Sequence, residues 1–76
     1  MATRRKGSIL IEFVKIGRYI KVSAVDERTG MEASIVGDPK RSQKALEDAA
    51  VRKLRYVMKK YEDNGGAEGG GRGGLV

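Results

Sequence analysis

Between residues 9 and 36, apolar side chains recur at every second position, the period of a strand with one buried face. Ile9, Ile11 and Phe13 form one such series, Ile20, Val22 and Ala24 a second, and Met31, Ala33 and Ile35 a third. The pattern predicts strands at 8–16, 19–25 and 31–36. Gly17-Arg18 fits a two-residue hairpin loop with glycine first, the type II′ turn. The run Asp26-Glu27-Arg28-Thr29-Gly30 supplies turn chemistry, with Gly30 available for a positive φ.

These turns set a register that can be checked against the pattern. A two-residue loop pairs Ile16 with Tyr19, Phe13 with Val22, and Ile11 with Ala24. A four-residue loop at 27–30 pairs Asp26 with Met31, Ala24 with Ala33, and Val22 with Ile35. Both assignments put all nine residues of the three series on one face, with Lys15 and Asp26 at its margin. A slip of one residue in either hairpin would scatter that face, so the agreement predicts an antiparallel meander with the second strand central.

After Gly37 the period changes. Over 44–61, at 100° per residue, Leu46, Ala50, Leu54, Val57 and Tyr61 share one stripe, flanked by Ala49, Lys53 and Met58. Asp38 followed by Pro39 fits a helix start, and Ser42 is an alternative cap. Asn64-Gly65 is a stop signal. The expected fold is α+β: a three-stranded antiparallel β-meander with one C-terminal α-helix packed on one face. Residues 8–63 would be a single domain, 1–7 a flexible basic arm, and 64–76 a disordered glycine-rich tail.

The other sheet face changes this picture. It would carry Leu10, Val14, Ile16, Tyr19, Val25 and Val36, too apolar for a face left wholly in water. Seventy-six residues without cysteine allow neither a disulfide staple nor a thiolate metal site. So short a chain has little core of its own, which favours covering the second face or a strand edge in a homodimer.

Charge is unevenly placed within the net +6. Residues 1–7 hold Arg4, Arg5 and Lys6 and no acid. Residues 8–37 balance four bases against four acids, and residues 38–63 hold eight bases and five acids. On the helix, Arg41, Lys44, Arg52, Arg55 and Lys59 lie opposite the apolar stripe, with Lys60 nearer its boundary. Such a distribution fits an anionic partner met by the helix face and the N-terminal arm. It also fits a solvated helix held by pairs such as Asp48–Arg52 and Lys59–Asp63.

Catalytic chemistry finds little footing. With no histidine and no cysteine, the commonest bases and nucleophiles are missing. Ser23 opposite Ser34, with Lys21 diagonal to it, reads as a cross-strand pair rather than an activated nucleophile. Asp26, Glu27 and Glu32 match no calcium-loop spacing. The glycines after residue 64 precede no helix and lack a phosphate-loop lysine, and Arg72-Gly73-Gly74 is a single copy of a unit that RNA-binding tails repeat. The basic start followed by Ile9-Leu10-Ile11 is interrupted by Glu12 and Lys15, unlike a secretory signal.

Two resemblances add to this reading. The order strand-strand-strand-helix, with Ala45-Leu46-Glu47-Asp48-Ala49-Ala50-Val51-Arg52-Lys53-Leu54, resembles the C-terminal part of a double-stranded RNA-binding domain. It departs from that pattern in lacking a first helix, in shortening the approach loop to Gly37-Asp38-Pro39, and in carrying Ser42-Gln43 where a lysine pair would stand. The segments Phe13-Val14-Lys15-Ile16-Gly17, Val22-Ser23-Ala24-Val25-Asp26, Thr29-Gly30 and Ile35-Val36-Gly37-Asp38-Pro39 resemble a family of small uncharacterised bacterial proteins. That likeness spans most of 8–61 and implies a compact domain without an assigned activity.

The expectation is a cytoplasmic, non-enzymatic binding module that uses no cofactor, metal, membrane or small-molecule substrate. Its leading partner is nucleic acid, met by Arg41, Lys44, Arg52, Arg55, Lys59, Lys60, Arg4, Arg5 and Lys6. The alternative is a protein-interaction or homodimerisation module using Leu10, Val14, Ile16, Tyr19, Val25 and Val36, or an open strand edge.

Overall fold

A computed structural model describes residues 2–63, so the expected tail lies outside the described residues. The chain runs β1 (Ala2–Lys6), β2 (Ile9–Ile16), β3 (Tyr19–Asp26), β4 (Glu32–Gly37) and α1 (Gln43–Asp63). The strands form one antiparallel sheet in the order β1-β2-β3-β4, and α1 packs across β3 and β4. The class is α+β, with four strands rather than the three expected.

Registers in the two expected hairpins agree residue for residue. Phe13 pairs with Val22, Ile11 with Ala24, Ala24 with Ala33, and Val22 with Ile35. Gly17 takes φ 58°, and no non-glycine residue takes a positive φ, consistent with the glycine-first turn. The nine residues of the alternating series all face α1. Ile11, Phe13, Val22, Ala24 and Ala33 are buried with Leu46, Ala50, Val51 and Leu54 of the helix, and Ile9, Ile20, Met31 and Ile35 pack around them. Gly37 closes this layer: a Cβ there would run into Leu46 Cδ2, so the edge of the sheet approaches α1 more closely than alanine would allow.

The extra strand comes from residues expected to form a flexible arm. Ala2–Lys6 pairs with β2, from Lys6↔Ile9 to Ala2↔Phe13. Gly7 at φ 62°, followed by Ser8, repeats the two-residue glycine-first turn of Gly17-Arg18. Every residue of β1 is exposed, so no hydrophobic alternation announces it. Its pairing rests on backbone hydrogen bonds, and its charged side chains suit an edge strand, where they discourage further strand addition.

The turns at this end are stitched together. Glu27 N–H donates to the Ser8 carbonyl at 2.9 Å. Asp26, buried, accepts from the Arg28 N–H at 3.0 Å and from Ser8 Oγ at 3.4 Å. The β3–β4 loop is closed by Asp26 N–H to the Met31 carbonyl at 2.8 Å.

Two details of the helix differ from expectation. Asp38 does not cap it. Its side chain accepts from the Lys40 N–H at 2.9 Å and so makes a local turn, while Ser42 Oγ accepts from the Ala45 N–H at 3.1 Å and caps the helix. The buried stripe is also rotated toward Glu47 and Val51, and Tyr61 is exposed. A helix of 21 residues is about 31 Å long and a strand of eight about 27 Å, so the last turn outruns the sheet that would bury it.

Candidate nucleic-acid interface

The nine cations expected to meet an anion fall into two groups with different surroundings. Arg4 and Lys6 of β1 pair with Ile11 and Ile9 and therefore point, like them, toward the helix layer. Arg4 Nε lies 3.2 Å from Glu47 Oε1, and Lys6 Nζ lies 3.7 Å from Asp48 Oδ1. Arg5 points to the opposite face and is ion-paired with Glu27. Lys44 shares Asp48 with Lys6, at 3.3 Å. Each of the three arm bases is thus held by a carboxylate of its own chain, in place of the mobile contacts expected.

Glu47 is the least expected member of this group. It is buried on the sheet side of α1 and turns its carboxylate to Arg4. A buried carboxylate is costly without a partner, so this pair ties the edge strand to the helix start. In the sequence nothing marks Glu47 as buried, because the cation that accompanies it stands 43 positions earlier.

The second group lies along the outer face of α1. Arg52, Arg55, Lys59 and Lys60 are all exposed, as is Arg41 just before the helix. Lys59 Nζ is 3.9 Å from Asp63, the length of a loose surface pair. Among the described residues, Arg41, Arg52, Arg55 and Lys60 form no ion pair. Tyr56 sits between them, 64% exposed, with Lys60 Nζ 5.8 Å from its ring centroid. The helical angle of Tyr56 places it well away from the apolar stripe, the one signal in the sequence that marks it as exposed. Tyr56, Lys59, Lys60 and Asp63 line a shallow depression there.

Lys53, expected to flank the core, instead reaches back to the sheet. Its Nζ donates to the Ser34 carbonyl at 2.8 Å, occupying an acceptor on edge strand β4. Ser23 and Ser34 bond to each other at 2.9 Å across the open face, as a cross-strand pair would. Among the described residues, no group of three or more acidic side chains is arranged to hold a metal ion. Nor is any helix there long and apolar enough to cross a membrane.

The other predicted set, Leu10, Val14, Ile16, Tyr19, Val25 and Val36, is brought together on the open face. Cross-strand neighbours are Leu10 with Val25, Ile16 with Tyr19, and Val14 and Val36 on either side of Lys21. Ile16, Tyr19 and Val36 are each more than half exposed.

Residues 6–61 match the family described as Domain of unknown function (DUF6898). The chain belongs to that family. The match begins at the last residue of β1 and ends in the last turn of α1, so it takes in both glycine-first turns, strands β2, β3 and β4 and the outer helix face. Most of β1, including Arg4 and Arg5, lies before it. Comparison with curated proteins and with solved structures found no match.

Proposed function

We propose that this DUF6898 domain is a small non-catalytic binding module that lays the outer face of α1 along the phosphate backbone of a nucleic acid. The observation that carries the reading is the strip of Arg52, Arg55, Lys59 and Lys60. Three of these four have no carboxylate partner among the described residues, and the fourth has only a loose one. At 1.5 Å per residue the strip spans about 12 Å, long enough to face several backbone phosphates. Tyr56 in its midst offers a ring on which an unpaired base could stack. Arg4, Arg5 and Lys6 take no part in this reading, because each already lies beside a carboxylate of its own chain. It describes a cytoplasmic protein that works without cofactor or metal.

Binding of labelled duplex and single-stranded probes tests it. With four phosphate contacts, affinity falls by about 10²-fold between 50 and 200 mM salt. The double variant Arg55→Glu, Lys59→Glu loses binding while keeping its helical content. Salt-independent binding, or a double variant that binds like the parent, rejects the proposal.

A second reading, an interaction module working through the open sheet face, is favoured by the exposure of Ile16, Tyr19 and Val36. It does not depend on the helix strip.

A further inference from the structure

The open face carries its charges in an order that is its own complement. Across one row of the sheet run Arg5, Leu10, Val25 and Glu32, one residue from each strand in turn. The next row runs Thr3, Glu12, Ser23 and Ser34, then Val14, Lys21 and Val36, and finally Ile16 and Tyr19. A two-fold axis parallel to the strands, passing between β2 and β3, lays β1 over β4 and β2 over β3 of a second copy. Arg5, already beside Glu27 of its own chain, then faces Glu32, Leu10 faces Val25, Glu12 faces Ser23, Val14 faces Lys21, and Ile16 faces Tyr19, each pair occurring twice. Lys21 comes diagonal to the second copy's Glu12.

We infer that the open face binds a second copy of this chain, forming a two-sheet sandwich with a helix on each outer side. Of its four charged side chains, Arg5 and Glu32 meet directly and Lys21 lies diagonal to Glu12, while Leu10 meets Val25 and Ile16 meets Tyr19. An isologous contact requires this kind of self-complementarity. Two strands about 27 Å long flanked by shorter ones of five and six residues, about 4.8 Å apart, offer roughly 440 Å² a side, or about 900 Å² in total, the size of a weak, reversible interface. Aligned sheets pack with strands about 30° apart, an offset that the long Arg5 and Glu32 side chains can take up at the corners. The edges are poorer alternatives. β1 is uniformly exposed and charged at Arg4, Arg5 and Lys6, and on β4 the Ser34 carbonyl is already taken by Lys53.

Sizing the full chain in solution by light scattering, with circular dichroism as a check on folding, tests the inference. The parent should have about twice its 8.3 kDa chain mass. Ile16→Asp, at a position 54% exposed, should be folded and monomeric. Glu32→Arg should weaken association, and adding Arg5→Glu together with Glu27→Gln, so that no like charges meet within the chain, should restore it, because the reversed charges again meet across the axis. A monomeric parent overturns the inference, as does a dimer that survives Ile16→Asp or a charge reversal without rescue.

Discussion

On the closed face of the sheet Ile11, Val22 and Ala24 are fully buried, whereas on the open face Ile16, Tyr19 and Val36 stay more than half exposed. The same three long strands supply both faces, and both are rich in apolar residues. What separates them is the distribution of side chains. The closed face is almost uninterruptedly apolar and matches the stripe of a single helix. The open face is crossed by a polar belt of Thr3, Glu12, Ser23 and Ser34 and edged by Arg5 and Glu32. One surface is made to be covered permanently by its own chain. The other mixes apolar side chains with charged and hydroxyl groups and is left uncovered by its own chain.

This contrast can be broken or sharpened by substitution. The largest effect belongs to the closed face: Leu54→Ala removes a fully buried side chain and should cost about 2–5 kcal/mol in chemical denaturation. A loss well under 1 kcal/mol would mean that α1 does not roof the sheet as described. Gly37→Ala comes next, at about 1–3 kcal/mol, because the added methyl meets the side chain of Leu46, which is itself buried. Pairing it with Leu46→Ala should recover part of the clash term, and strict additivity would show that the two do not touch. Smallest is Val36→Ser on the open side of β4, beyond the facing pairs inferred for a second copy. It should change stability by no more than about 0.5 kcal/mol. A larger loss would show that this edge is covered.

Ion pairing repeats the lesson on a smaller scale. By sequence, Arg4, Arg5 and Lys6 and the helix bases look alike, as two basic clusters awaiting one anion. In the fold the first cluster is matched by Glu47, Glu27 and Asp48, and the second is left facing water. Charge counting along the chain could not separate them, since the partners of the first cluster come from a turn and a helix far downstream.

Much of the architecture was readable beforehand because it rests on local rules. Strand alternation has a strict period of two, glycine turns restrict loop length, and together they determine which residues pair. That is why the β2–β3 and β3–β4 registers and all nine closed-face residues follow from the sequence. β1 leaves no alternation in the sequence because it buries nothing, although Gly7-Ser8 carries the same turn signal as Gly17-Arg18. The rotation of α1 toward Val51, the exposure of Tyr61 and the burial of Glu47 depend on where a rod of given length rests on a sheet of given size. Local periodicity sets which side chains share a face, and the sequence alone determined that much. Which of those faces is covered, and which charge finds a partner, are properties of contacts between distant segments, and only the tertiary structure decided them.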